Sequence, residues 1–262
     1  VEYYKQNMPV PAIERDDSCI CVLAKSMTDK MAEIAKSAWV YSNHGCSTTF
    51  NAALKNKNYK SNCATLANWI FRKLKITSSG QYFYGKAGSI IAWRNDATKN
   101  AVMDKCDVIT VGMSVKDCLS HNILRPGDIC MYDKQHTNIY YGGGKWVESG
   151  TVYSGGSGKE GAPLKTFVGN TALYDWTIAH IIRYRDPNAP VRHYRVQCGE
   201  FSVKKNAEKM VTTVKDAGYD AIIKQSGKTY IVQAGYCDTL TAAVALTNRI
   251  LRKSIATMIV GV

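Results

Sequence analysis

The sequence excludes much by what it lacks. None of its 262 residues belong to a run of about eighteen apolar residues, the length a membrane-spanning helix requires, so no membrane insertion is expected. The opening VEYYKQNMPVPAIERDD has no apolar centre and as it stands cannot serve as a secretory leader. No run of about five or six basic residues marks a nucleic-acid-binding tail, and no nucleic-acid partner is expected. HExxH zinc sites, GK[ST] phosphate loops, Asp/Asn-rich calcium loops and paired carboxylates in an acid/base setting are all missing. The one close cysteine pair, Cys19-Ile20-Cys21, is too tight for a zinc knuckle. The expectation is therefore no metal and no cofactor.

What is present begins with an ordinary share of apolar residues, 45%, and of aromatics, 10%, which excludes global disorder. The formal net charge is +13, a field that favours a polyanionic partner: nucleic acid, an anionic membrane or a cell wall carrying teichoic acids. Nine cysteines fall at 19, 21, 46, 63, 106, 118, 130, 198 and 237. An odd count and irregular spacing point to free thiols in a reducing compartment, most of them small buried hydrophobes and one or two of them chemical. These features predict synthesis in a cytoplasm.

The composition changes at Arg185-Asp-Pro-Asn-Ala-Pro190, where two prolines among polar residues read as a linker. The expected order is an N-terminal segment over 1–26, a larger domain over 27–186, a linker over 187–192 and a small domain over 193–262. The small domain repeats itself. Tyr194-Arg-Val-Gln-Cys-Gly-Glu-Phe201 recurs as Tyr230-Ile-Val-Gln-Ala-Gly-Tyr-Cys237. Each copy reads strand, helix, strand. Ala207, Met210, Val211 and Val214 share a helical face, Gly218 stops that helix, and Tyr219–Ile223 alternates as a strand. Ala242–Leu251 and Ala256–Val260 repeat the order, which predicts a small sheet covered on one face by two helices.

Tyr194-Arg-Val-Gln, Gly199 with Phe201, Asn206-Ala-Glu, Ala217-Gly-Tyr and Tyr230-Ile-Val-Gln-Ala-Gly together resemble the SPOR domain, over essentially all of 193–262. The resemblance implies a peptidoglycan-binding module that holds glycan on its sheet face, with Gln197, Tyr230 and Gln233 as contacts. Residues 187–262 carry eleven Lys and Arg against five Asp and Glu, a net +6 that suits an anionic wall.

Chemistry has to come from 27–186. Leu66, Ile70 and Leu74 recur at helical spacing while Asn68, Arg72 and Lys73 face outward. Ser61 or Asn62 is a suitable N-cap, so Cys63 falls in the first turn. The unpaired N–H groups there favour a thiolate and can also stabilise an oxyanion. Downstream, Pro126-Gly127-Asp128 turns into a strand, and alternation puts His136, Asn138 and Tyr140 on one face. If the hairpin loop is Gly142-Gly143-Gly144, Asn138 opposes Glu148, and Glu148 lies one diagonal from His136, about 7–8 Å between backbones. A two-residue loop would move Glu148 to the opposite face. Asn138 is the alternative orienter of His136, and Tyr59 a candidate oxyanion donor. His44, His121, His180 and His193 read as surface or packing residues.

Asn62-Cys63-Ala, Arg125-Pro-Gly-Asp-Ile129, His136-Thr-Asn-Ile-Tyr140 and Gly144-Lys-Trp-Val-Glu148 resemble, in order and spacing, the papain-like peptidoglycan hydrolases of the NlpC and CHAP type. Where that family more often has Asp-Cys-Ser, this chain has Asn-Cys-Ala; its third residue is often His, Asn or Gln, where this chain offers Glu148. The resemblance implies an α+β fold with the cysteine helix packed on an antiparallel sheet, and a Cys63–His136–Glu148 constellation. Joined to the SPOR resemblance, it implies a phage-type endolysin, a cysteine amidase or endopeptidase. Such an enzyme is made in the host cytoplasm and acts on the wall after release. A non-catalytic wall-binding protein and a cysteine protease or acyltransferase on another substrate are the alternatives.

Overall fold

A computed structural model of the chain describes residues 19–35, 39–87, 90–134, 136–150, 161, 165–170, 173–185 and 193–261. These form two compact units: residues 19–116 with 124–185, and residues 117–123 with 193–261. The expected linker over 187–192 lies outside the described residues.

In the first unit the chain runs α1 (Cys19–Ala35), β1 (Val40–Tyr41), α2 (Phe50–Lys55), β2 (Lys60–Ser61), α3 (Cys63–Lys73), β3 (Phe83–Ala87), β4 (Ile90–Trp93), α4 (Asp96–Lys105) and β5 (Cys106–Ser114). The short helix α5 (Val115–Ser120) begins at the end of this stretch and has its residues from 117 on in the second unit; the first unit resumes with β6 (Ile129–Tyr132), β7 (Thr137–Gly142), β8 (Lys145–Gly150), β9 (Lys165–Asn170) and β10 (Thr177–Tyr184). One six-stranded antiparallel sheet, in the order β5-β10-β6-β7-β8-β9, is its backbone. Ile129, Met131, Ile139, Val147 and Ile182 share a core with Leu66, Trp69, Ile70 and Phe71 of α3. Complete burial of each such side chain stabilises by about 1.5–3 kcal/mol.

Helix α1 corrects the expected N-terminal boundary, because it runs unbroken across residue 26. Ile20, Ala24, Met27 and Met31 recur every three or four residues and enter the same core, so this helix belongs to the first unit. Among the described residues no helix is long and apolar enough to cross a membrane.

The second unit contains β11 (Tyr194–Phe201), α6 (Lys204–Asp216), β12 (Ala221–Ser226), β13 (Thr229–Cys237), α7 (Leu240–Leu251) and β14 (Met258–Gly261). Its sheet runs β12-β13-β11-β14, all antiparallel. Both helices contact it, and their apolar residues meet the fully buried Val196, Val232 and Ala234. The strand-helix-strand repeat expected from the sequence is the order observed. Segment 117–123, not expected to group here, is joined by two hydrogen bonds: Ile259 N–H donates to the His121 carbonyl at 2.9 Å, and the Asn122 side-chain Nδ2 donates to the Ile259 carbonyl at 3.1 Å. Gly235 has φ +60°, and a Cβ there would stand 2.5 Å from Leu246 Cδ2, so only glycine suits the position.

Candidate active site

The start of α3 is held from several sides. Asn62 is its N-cap: its Oδ1 accepts from Thr65 N–H at 2.9 Å, and its Nδ2 donates to the Ser42 carbonyl at 2.8 Å. The parallel pairing of Tyr41 with Ser61 fixes the preceding backbone. Buried Ser61 Oγ lies 3.3 Å from Ser149 Oγ, which ties the helix start to β8. Cys63, the first helical residue, is half-buried.

His136 immediately precedes β7, and Glu148 lies on β8. The turn between them is shorter than the three-residue loop on which the expected register depended: Gly142 pairs with Lys145, leaving Gly143 and Gly144 as a two-residue turn. All three glycines have positive φ, 104°, 59° and 73°, as such a turn demands. An extra residue at Tyr141 bulges the strand and returns the register to Tyr140 opposite Trp146 and Ile139 opposite Val147. Glu148 therefore keeps the face expected of it, by a different route. Its Oε1 accepts from Asn138 Nδ2 at 2.8 Å and stands 3.8 Å from His136 Nε2, an ion-pair distance beyond hydrogen bonding.

Two aromatic residues that the sequence reading did not single out complete the surroundings. The His136 ring centroid is 5.7 Å from that of Tyr132 and 6.3 Å from that of Trp176, the latter edge-on, and Lys134 Nζ sits 4.6 Å over the Trp176 ring. Tyr132 also donates its hydroxyl to Asn138 Oδ1 at 2.9 Å. The pairing of Cys130 with Asn138 puts Tyr132 on the Asn138 face, a signal available once the β6–β7 register is known. Trp176 is forty residues from His136 and carries no local signal.

The electrostatics single out one thiol. Burial by itself would raise Cys63, but hydrogen bonding to His136, its positive charge and the backbone N–H groups of Thr137 and Ala64 outweigh burial and hold the thiol below its ordinary value. Burial would lower His136, yet Cys63 and Glu148 together raise it to about 10. Both shifts run toward the charged forms, thiolate on Cys63 and imidazolium on His136, with the Glu148 carboxylate behind the ring. By contrast, burial pushes Cys106 and Cys198 up to about 12 and raises Cys237. Six of the nine thiols are buried.

The remaining expected site residues are placed differently. Tyr59 is committed to the aromatic core, its ring centroid 5.1 Å from that of Trp39. Asn138 contacts Glu148 rather than orienting His136 itself. Gln197 and Gln233 oppose each other across β11 and β13, on the strand face away from Val196 and Ala234. They are only 6% and 5% exposed, so they are corrected from open glycan contacts to buried residues. Alternation told their face but not whether it is covered. Tyr230 is half-buried opposite Phe201. The exposed aromatic of this unit is Tyr236, 54% exposed, with His193 stacked on it at 5.0 Å and the Arg195 guanidinium 5.2 Å over its ring. His193 Nδ1 in turn lies 3.2 Å from Asp238 Oδ1. Among the described residues no cluster of three or more His, Cys, Asp or Glu side chains suits a metal ion.

Residues 190–260 match the SPOR domain model, so the mixed α and β chain carries a SPOR domain at its C-terminal end. Among solved structures, the peptidoglycan-binding domain of the B. subtilis cell wall lytic enzyme CwlC is similar. It is 24% identical and covers 30% of this chain and 99% of its own, with a TM-score of 0.27. No curated protein matches the chain.

Proposed function

We propose that this protein is a cysteine hydrolase of peptidoglycan, cutting an amide of the wall peptide while its SPOR domain binds the wall. The observation that carries the catalytic half is the meeting of Cys63, at a capped helix start, with His136 and Glu148, drawn from three separate elements. The substrate half rests on the SPOR domain over 190–260. In this reading the Cys63 thiolate adds to the amide carbon, and the Ala64 N–H at the helix start helps to hold the resulting oxyanion. The C–N bond breaks as imidazolium His136 gives its proton to the leaving nitrogen. Water then attacks the thioester, His136 takes a proton from it, and the C–S bond breaks to release the acid and restore the thiolate. Glu148 keeps the imidazole oriented and favours its charged form. The papain-like arrangement and an endolysin-like setting belong to this proposal, and anionic wall polymers are a further partner for the basic chain.

On the SPOR domain, the open contact we propose is Tyr236 with Arg195 and His193, in place of the buried glutamines. An aromatic face flanked by a guanidinium and an imidazole ring suits a glycan carrying carboxylates.

The test is mass spectrometry of fragments released from purified wall. The wild type should release new amine-bearing muropeptides, and Cys63→Ala should release none while still sedimenting with the wall. Release by Cys63→Ala at the wild-type rate would overturn the nucleophile. Sedimentation without release by the wild type would favour the non-catalytic alternative.

A further inference from the structure

Resting on the catalytic reading above, we infer that Tyr132 is a positioning residue of the site, setting the orientation of the Asn138 amide and through it the Glu148 carboxylate behind His136. An asparagine amide can present either its oxygen or its NH₂ to a neighbour, and the two choices have opposite consequences beside a carboxylate. The Tyr132 hydroxyl, donating to Asn138 Oδ1 at 2.9 Å, demands the oxygen on its own side. That leaves Asn138 Nδ2 to donate to Glu148 Oε1 at 2.8 Å, the same oxygen that stands 3.8 Å from His136 Nε2.

All three side chains are buried, at 0%, 2% and 7% exposure, so water does not readily replace a lost partner. Without the hydroxyl, Asn138 Oδ1 loses a buried donor and the amide is anchored less firmly, which loosens its hold on the Glu148 carboxylate. The Tyr132 ring performs a second task, since it packs on His136 while Trp176 meets both rings edge-on, at 5.9 and 6.3 Å. One residue thus holds the imidazole by its face and its counter-ion by a hydrogen-bond chain. The ionisable groups around His136 are Cys63 from α3, Glu148 from β8 and Tyr132 from β6, with Lys134 beyond the Trp176 ring. Only Glu148 among them is connected to the hydroxyl through Asn138.

Tyr132→Phe keeps the ring and removes the link. The experiment follows the pH dependence of Cys63 alkylation by iodoacetamide in the full chain, located by peptide mapping, beside wall hydrolysis. In the wild type Cys63 should react faster than the other eight cysteines at neutral pH; if it does not, the catalytic reading itself fails. Given that, Tyr132→Phe should move the alkaline limb of wall hydrolysis, which His136 sets, downward by about one pH unit and lower hydrolysis about 10-fold. Glu148→Gln should move the limb the same way, and the double variant should go no further than Glu148→Gln alone, because both act through one carboxylate. An unmoved limb in Tyr132→Phe, or full additivity in the double variant, overturns the inference while leaving the nucleophile intact. If Tyr132→Phe melts below the assay temperature, 3-fluorotyrosine at position 132 supplies the near-isosteric test. Its stronger donor should shift the limb upward, and an unchanged limb would overturn the inference.

Discussion

The two units bury polar side chains in different company. In the first, the buried polar residues include three that carry charge, Asp128, Arg183 and Glu148. In the second, those among the described residues are neutral: Gln197, Gln233, Thr247 and Thr257. Burying a charge costs several kcal/mol unless it is paired and hydrogen-bonded. The first unit meets that cost in two ways. Arg183 grips Asp128 with two hydrogen bonds, and Asp128 also accepts from Arg125 N–H, which pins the Pro126-Gly127 turn leading into β6. Glu148 is held by Asn138 on one side and faces His136 on the other. The second unit buries no charged side chain among the described residues, and the Arg195 guanidinium lies over the exposed Tyr236 ring. In the proposed reading, interior electrostatics serve bond-making chemistry in one unit and surface contact serves adhesion in the other.

The largest test of that difference is Arg183→Met, which leaves Asp128 buried without its partner. It should destabilise the first unit by about 3–5 kcal/mol in urea titration, while near-ultraviolet signals from the second unit, and its retention on wall, hold. A loss under about 1 kcal/mol would mean that buried charge matters no more here than in the second unit.

A smaller change should sharpen the comparison through pH. His136 is raised to about 10, so the imidazolium needed to protonate the leaving group is present below that value and is lost as pH rises through it. Hydrolysis by the wild type should accordingly fall on an alkaline limb near 10. Glu148→Gln removes one cause of the raised value, and the limb should move to lower pH with about a 10-fold loss of rate at neutrality. An unmoved limb would detach Glu148 from the imidazole.

The smallest expected effect lies in the second unit. Tyr236→Ala should weaken sedimentation with purified wall about 5-fold and leave the pH profile of hydrolysis where it was, since exposed aromatic and cation–π contacts contribute only about 0.5–1 kcal/mol each. Unchanged sedimentation would move the adhesive surface elsewhere on the sheet.

Much of this was legible in advance where the determinants are local. The cap Asn62, the apolar stripe of α3 and the strand-helix repeat each lie within one element or two adjacent ones, and the sequence spacing carries them directly. Helix α1 had a comparable signal in Ile20, Ala24, Met27 and Met31, although the expected boundary at residue 26 cut across it. The edge-on Trp176 was not legible, because its approach to His136 depends on β10 pairing with β6 rather than on spacing along the chain. The burial of Gln197 and Gln233 was hidden for a similar reason: a period of two assigns a side chain to a face and is silent about what lies over it.

The hairpin at Gly143-Gly144 makes the chemistry sensitive to counting. Its two-residue turn and the bulge at Tyr141 together take up as many residues as the simple three-residue loop, so the ladder beyond them stays in step. Deleting one residue from this stretch while the ladder re-forms would present Ser149 where Glu148 stands, exchanging a carboxylate for a hydroxyl with no side chain altered. The composition of the site is thus written partly as an arithmetic of chain length. Duplications and losses in this glycine run would change what the site can do as surely as a substitution within it.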